Sequence, residues 1–153
     1  MRRRSLWELK WPIIIGAAVA GLAFLQIARV NAPVPVTQTP EVVRTTSGRI
    51  INGQLEIGAA DYLAYRIDLN HRAKLKGSFR SSDGKRKIAG RVMAAADFEN
   101  WRNGSEYAAL SQTGYVPRGQ INLVLEAGTY YLIFDNLASA DEKRLIDATF
   151  DVD

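Results

Sequence analysis

The sequence predicts an all-β fold, a single antiparallel β-sandwich of jelly-roll type with seven or eight strands, preceded by one N-terminal transmembrane α-helix. An uncharged apolar run lies near the N-terminus, and apolar and polar residues alternate with a period of two across residues 49–153. Glycine-containing turn signals separate the alternating runs. A chain of 153 residues is long enough for one such domain and an anchor.

The N-terminal 30 residues predict a membrane anchor. Residues 12–28 (PIIIGAAVAGLAFLQIA) carry no charge, and a helix of that length spans roughly 25 Å. Flanking apolar residues extend it, so we assign the transmembrane helix to residues 12–30. The preceding segment, residues 1–11, is basic, and the positive-inside rule therefore places it in the cytoplasm and the C-terminal domain in the periplasm or outside the cell. Trp7 and Trp11 are expected in the aromatic belt at the membrane interface.

A cleaved signal peptide is the alternative interpretation of the same pattern. The best small-residue cleavage site ends at Ala32, and Pro33 after it disfavours cleavage. The apolar run is also longer than the usual core of a signal peptide. We therefore expect an uncleaved signal-anchor in the inner or plasma membrane.

Small residues in the span predict a packing face for another membrane helix. Gly16 and Ala20 are four residues apart, as are Ala17 and Gly21. This spacing lets two helix backbones approach closely enough for dispersion contacts. The alternative is that Ala and Gly are simply frequent in membrane helices.

The net charge of +4 belongs to the anchor. Residues 1–29 hold five basic residues against one acidic residue, and residues 30–153 hold 15 of each. Because a nucleic-acid-binding domain needs a net basic surface, we expect no nucleic-acid partner. Residues 31–48 contain Pro33, Pro35 and Pro40, which predicts a semi-rigid linker between the helix and the domain.

Four runs in the domain alternate as half-buried strands do. Their inward positions are expected to be Leu63, Tyr65, Ile67, Leu69, Ala73, Leu75, Gly77, Phe79, Ile121, Leu123, Leu125, Ile146, Ala148, Phe150 and Val152. Residues 129–134 (TYYLIF) are apolar on both faces and predict a central strand that is covered on both sides. Residues 97–102 are expected to form a short helical or irregular excursion.

Five turn signals are expected between strands. They are Asn52-Gly53, Asp83-Gly84, Asn103-Gly104, Arg118-Gly119 and Ala127-Gly128.

The last third of the chain resembles a known family. Residues 127–136 (AGTYYLIFDN), followed by Ser139 and Lys143, resemble the C-terminal half of GOLD (Golgi dynamics) domains. The resemblance implies an eight-stranded β-sandwich that mediates protein–protein contacts and carries no catalytic residues. Secretory cargo receptors of that family have a C-terminal span, whereas the predicted span here is N-terminal. The same AGTYYL run also resembles, more weakly, the pre-peptidase C-terminal β-sandwich domain.

The sequence offers no catalytic residues, no cofactor-binding residues and no metal ligands. The chain has no cysteine and a single histidine, His71, which we expect in a surface turn. Asp147, Asp151 and Asp153 share one strand face and raise calcium as an alternative, but strand spacing does not wrap an ion as a loop does. Asp135-Asn136 predicts a structural turn whose side chains bond to nearby backbone.

Basic side chains concentrate in residues 72–91, and acidic ones in residues 126–153. They predict a basic patch for anionic lipid head groups or an acidic protein. Its members are Lys74, Lys76, Arg80, Lys85, Arg86 and Lys87. The alternative is that the basic and acidic strands are neighbours in the sheet and neutralise each other.

These patterns predict a non-catalytic, single-span accessory subunit or protein–protein interaction module of a larger membrane complex (respiratory, photosynthetic or transport) with a structural role. Its expected partners are other membrane subunits and the lipid bilayer. The alternative is a membrane-anchored binding module for a glycan or envelope polymer. Its candidate exposed aromatic side chains are Trp101, Tyr107 and Tyr115.

Overall fold

The structure of the protein is a computed structural model that describes residues 41–43 and 48–153. These residues form nine β-strands and one α-helix. The elements are β1 Glu41–Val43, β2 Gly48–Ile57, β3 Tyr62–Leu69, β4 Ala73–Ser81, β5 Ile88–Ala94, α1 Ala95–Arg102, β6 Ser111–Val116, β7 Arg118–Leu125, β8 Gly128–Asp135 and β9 Arg144–Val152.

The strands form two sheets. The five-stranded sheet has the order β1-β3-β8-β5-β6, and the four-stranded sheet has the order β2-β9-β4-β7. Strands β2 to β9 alternate between the sheets except at β5 and β6, which is the arrangement of a jelly roll. The pairings among β2–β9 are antiparallel, which confirms the predicted antiparallel sandwich.

The short strand β1 lies within the predicted linker and was not expected. It pairs in parallel with β3, with Val42 beside Arg66. Strand β3 would otherwise be the edge of its sheet, and β1 takes up part of that edge. The sandwich therefore has nine strands where the sequence predicted seven or eight.

The main core lies between the two sheets. Its members include three of the four predicted inward residues of β4, without Gly77, and all four of β9, so the period of two correctly predicted which faces are buried. Phe134 is fully buried there, with edge-on ring contacts to Tyr65, Phe79 and Phe150 at centroid distances of 6.5, 5.5 and 5.7 Å. Strand β8, which carries Phe134, is paired on both sides by β3 and β5, which confirms the predicted central strand.

A second, smaller core covers the outer face of the five-stranded sheet. Helix α1 lays Phe98 and Trp101 over Tyr62 of β3 and Tyr131 of β8. The predicted excursion at residues 97–102 is therefore a helix that shields one sheet face from water. It also explains why Tyr62 and Ala64, on the outer face of β3, are buried, where the sequence predicted burial of the other face alone.

Three of the five predicted turns are confirmed. Asp83-Gly84 lies between β4 and β5, Asn103-Gly104 follows α1, and Ala127-Gly128 lies at the junction of β7 and β8, with Gly128 as the first residue of β8. Gly84 has a φ of 68°, the left-handed region that favours glycine. Asp83 accepts hydrogen bonds from the backbone N–H groups of Arg86 and Lys85 and from the Ser81 hydroxyl, and these bonds hold its pKa well below the usual range.

The other two predicted turns are wrong. Asn52-Gly53 lies inside β2, and Arg118-Gly119 lies at the start of β7, after the chain changes sheets at Pro117. Gly119 is needed for close approach, because a Cβ atom there would lie 2.6 Å from the ring of Phe79. This glycine permits a close contact with a neighbouring strand and does not form the predicted turn.

The predicted transmembrane helix at residues 12–30 lies outside the residues that the structure describes. Within the described ranges, no helix is long and apolar enough to cross a membrane.

Candidate functional site

The outer face of the four-stranded sheet carries two rows of polar side chains that run across all four strands. The first, the neutral row, contains one residue from each strand in cross-strand register: Asn52, Thr149, Ser78 and Gln120. The second, the charged row, lies two residues along each strand: Gln54, Asp147, Arg80 and Arg118. The alternate residues of these strands point into the core. Because successive side chains of a strand point to opposite faces, both polar rows point to solvent.

A groove of about 810 Å³ lies over these two rows. Its lining residues are Asn52, Gly53, Ser78, Phe79, Arg80, Arg118, Gly119, Gln120, Asp147, Ala148 and Thr149. A third row, with one residue from each strand, lies between the two polar rows. Two of its four residues are glycines, and the other two side chains point into the core. The floor of the groove is therefore largely backbone, and its walls are polar side chains.

Charges are unevenly paired in the groove. Arg80 contacts Asp147, with Nε and Oδ2 3.4 Å apart, and the Arg80 side chain remains 75% exposed. Arg118 is the direct cross-strand partner of Arg80 and makes no ion pair with any residue in 48–153. The groove thus holds two guanidinium groups and one carboxylate.

The predicted basic patch is dispersed by the fold. Lys74, Lys76 and Arg80 lie on the outer face of β4, with Lys74 and Arg80 about 20 Å apart along the strand. Residues 85–87 lie beyond the end of β4, in the loop before β5.

Strand β9 supplies acids beside the basic residues of β4. Lys76 donates a hydrogen bond to Asp153, which together with the charge of that carboxylate raises the pKa of Lys76. Arg86 lies near both Asp83 and Glu142. The basic and acidic segments are therefore neighbours, as the alternative interpretation expected, and Arg80 is the member of the predicted patch that lines the groove.

The three predicted aromatic candidates lie away from the groove. Trp101 is only 5% exposed and packs against Tyr62 at a centroid distance of 5.0 Å. Tyr115 is half-buried on β6 of the other sheet, and Tyr107 lies in the exposed segment before β6. The residues of the neutral row were missed as a site, although the alternation of β4 and β9 had already placed Ser78 and Thr149 on the outer face.

A buried polar cluster lies on the outer face of the five-stranded sheet. Arg91 of β5 forms an ion pair with Asp135, whose other oxygen accepts a hydrogen bond from the Tyr115 hydroxyl at 2.9 Å. Burial opposes the charge of Arg91, but the carboxylate of Asp135 outweighs it and raises the arginine pKa. Burial and the same carboxylate raise the pKa of Tyr115 to about 12. The two oxygens of Asp135 link β8 to β5 and β6, whereas Nε of Arg91 is buried without a hydrogen-bond partner.

The predicted structural turn at Asp135-Asn136 is confirmed, and its hydrogen bonds also extend to the loop between β2 and β3. Asp135 accepts a hydrogen bond from the Leu137 backbone N–H at 2.7 Å. The buried amide of Asn136 donates to the backbone carbonyls of Gly58 and Glu142, at 2.7 and 2.8 Å. Asn136 therefore joins the β2–β3 loop to the β8–β9 loop.

Metal ligation finds no support in the described part of the chain. No three His, Cys, Asp or Glu side chains are grouped there so that they could hold an ion. The three aspartates considered for calcium each contact a different cation, which is Arg80 for Asp147, Arg49 for Asp151 and Lys76 for Asp153. His71 is exposed between β3 and β4, in the surface turn that the sequence predicted.

No protein-family model matches the sequence, and no curated protein matches it either. Similar solved structures include PliG of Aeromonas hydrophila, a periplasmic inhibitor of g-type lysozyme, at 12% identity and a TM-score of 0.50. That likeness covers 75% of this chain and 100% of PliG. The pre-peptidase C-terminal domain of the Bacillus anthracis collagenase has 13% identity and a TM-score of 0.48 over 74% of this chain and 98% of that domain. At such identities the likeness to PliG shows a shared β-sandwich fold alone.

Proposed function

We propose that this chain is a non-catalytic binding module whose β-sandwich holds a polyhydroxylated polymer of the cell envelope, a glycan, in the groove of the four-stranded sheet. The observation that carries the proposal is the neutral row, to which each strand contributes one uncharged polar side chain. Three interstrand steps of about 4.8 Å make the row about 14 Å long. A chain of sugar rings lying across the strands would meet every member of the row.

The chemistry of the neutral row suits hydroxyl groups. The amides of Asn52 and Gln120 and the hydroxyls of Ser78 and Thr149 each both donate and accept hydrogen bonds. Sugar hydroxyls do the same, so either partner can supply the proton. The four side chains are exposed, and they keep water as a partner until a ligand replaces it.

A protein partner is less well matched by this surface. Stable protein interfaces centre on buried apolar and aromatic anchors. In residues 48–153 the large exposed apolar side chains are Tyr107, Leu110, Val124 and Leu145. Tyr107 and Leu110 lie in the segment before β6, away from the four-stranded sheet. Val124 and Leu145 share the outer face of the four-stranded sheet but are at opposite ends of it. A role as accessory subunit would therefore depend chiefly on the predicted helix.

The predicted anchor completes the proposal. A single span with a cytoplasmic N-terminus would hold the sandwich in the periplasm or at the cell surface, where envelope polymers occur. The proline-containing linker would separate the groove from the lipid bilayer.

Binding is tested with the full-length protein in detergent on an array of neutral and acidic oligosaccharides. We expect the protein to retain some glycans. Gln120→Ala, which removes a hydrogen-bonding partner, and Ser78→Tyr, which fills the groove, should each reduce this retention at least tenfold. Gln112→Ala is the matched control, because Gln112 is also exposed but lies on β6 of the other sheet. No retention of any glycan, or equal retention by all variants, would overturn the proposal.

The accessory-subunit alternative has its own test in the helix. Gly16→Leu combined with Ala20→Leu should release the protein from a membrane complex, because bulkier side chains separate the helix backbones. Phe24→Leu is the control, since it changes a bulky position to another bulky one. Co-purification from solubilised membranes that depends on the helix and not on the groove would favour the alternative.

A further inference from the structure

One end of the groove carries an excess of positive charge. Arg80 and Arg118 are direct cross-strand neighbours on the outer face, and like charges placed opposite each other destabilise a sheet. Asp147 flanks Arg80 on the other side, whereas Arg118 makes no ion pair with any residue in the range 48–153. The fold therefore holds an unfavourable pair that one carboxylate does not neutralise.

Beyond the neutral row, the carboxylates on the same sheet face each contact a cation. Arg49 contacts Asp151, with Nε and Oδ1 3.1 Å apart, and Lys76 contacts Asp153. Lys74 lies on the same face without an ion pair among residues 48–153, but its cross-strand neighbour is Val124. What distinguishes the groove is that its two cations, Arg80 and Arg118, face each other directly across neighbouring strands.

We propose that the ligand of the groove is an acidic glycan, with a carboxylate, sulfate or phosphate group held between Arg80 and Arg118. This inference rests on the proposed function and adds the charge of the ligand to it. A guanidinium group presents parallel N–H donors that match the two oxygens of such an anion. The anion relieves the repulsion between the two arginines, which a neutral sugar does not do.

The spacing of the two rows fits one ligand that uses both. Ser78 and Arg80 are alternate residues of β4, so their Cα atoms are about 7 Å apart. Sugar hydroxyls on the neutral row would leave an acidic substituent of the same chain within reach of the arginines. The contact between Arg80 and Asp147 is exposed, and such pairs are weak enough to exchange for a ligand.

The decisive experiment compares matched glycans that differ only in charge. The probes are hexagalacturonate and its methyl ester, together with sulfated or phosphorylated oligosaccharides and their unmodified parents. The full-length protein in detergent should bind the charged member of at least one pair ten times more tightly. This preference should shrink as salt rises, because salt screens exposed charges.

Two variants distinguish a specific anion-binding site from non-specific electrostatic attraction. Arg118→Gln should lower the affinity for the acidic probe to that for its neutral partner. Arg72→Gln removes one positive charge from the β3–β4 loop outside the groove and should leave the preference intact. Equal losses in both variants would show diffuse attraction and overturn the inference.

The remaining outcomes distinguish the two proposals. Neutral and acidic glycans bound equally, with loss in Gln120→Ala, would overturn the acidic ligand and leave the glycan-binding module standing. Binding of no glycan at all would overturn both.

Discussion

The hydroxyl of Tyr115 donates a hydrogen bond to Oδ1 of Asp135 at 2.9 Å, across strand β5, which lies between their two strands. Arg91 of β5 donates a hydrogen bond to Oδ2, the other oxygen of the same carboxylate. Asp135 is 1% exposed, and the Arg91 side chain is 12% exposed. One carboxylate therefore receives a partner from each of the two strands that follow β8 in the five-stranded sheet.

Removal of that carboxylate should be costly. We expect Asp135→Ala to lower the free energy of unfolding by about 3–5 kcal/mol, because it leaves the charge of Arg91 buried and unpaired. Denaturant unfolding of the full-length protein measures the change. Glu56→Ala is the control, since its ion pair with Lys143 is exposed and should contribute about 0–1 kcal/mol. Equal effects of the two substitutions would contradict a structural role for Asp135.

The raised pKa of Tyr115 predicts a specific dependence on pH. The pKa is about 12 in the folded protein, against 10.0 for an ordinary tyrosine, so the fold favours the protonated hydroxyl. Its contribution to stability should be complete below pH 10 and should be lost as pH rises from about 10 to about 12. The measurement is the difference in unfolding free energy between the wild type and Tyr115→Phe. A difference that stays constant through this range would contradict the prediction.

The main core should depend strongly on Phe134. We expect Phe134→Ala to cost about 3–5 kcal/mol, because it leaves a cavity among three aromatic rings. The melting temperature should fall accordingly. Val124→Ala is the control, because Val124 is 51% exposed and its loss leaves no cavity. An unchanged melting temperature for the Phe134 variant would mean that β8 is misplaced.

Gly119 should tolerate no side chain while Phe79 is present. We expect Gly119→Ala to cost about 1–3 kcal/mol, because the new Cβ atom would lie 2.6 Å from the Phe79 ring. The same substitution should cost less in a Phe79→Leu background, where the ring is gone. A double-mutant cycle measures this coupling. Additive effects would show that the glycine is required for another reason.

The anchor makes a prediction about the mature protein. We expect the chain to keep its N-terminus and to stay in the membrane pellet after an alkaline wash, because Pro33 disfavours cleavage after Ala32. N-terminal sequencing and fractionation test this. A mature protein that begins at Pro33 and appears in the soluble fraction would show that the segment is a cleaved signal peptide.

The sequence by itself determined which way the strand residues face. Alternation placed Ser78 and Arg80 of β4, and Asp147 and Thr149 of β9, on the outer side, because successive side chains of a strand point to opposite faces. The doubly apolar run at residues 129–134 likewise identified a central strand. These are local properties that a few consecutive residues carry.

Only the tertiary structure decided which strands are neighbours. Asn52 and Thr149 are far apart in the chain, yet β2 pairs with β9 and places them opposite each other. The same holds for Arg80 and Arg118, whose pairing creates the excess charge of the groove. A repeat of two residues is identical in every half-buried strand, so it carries no information about partner or register. Long-range pairing supplies both: it places Lys76 and Arg80 of the predicted basic patch beside Asp153 and Asp147 of β9, and it places Arg80 opposite Arg118 of β7.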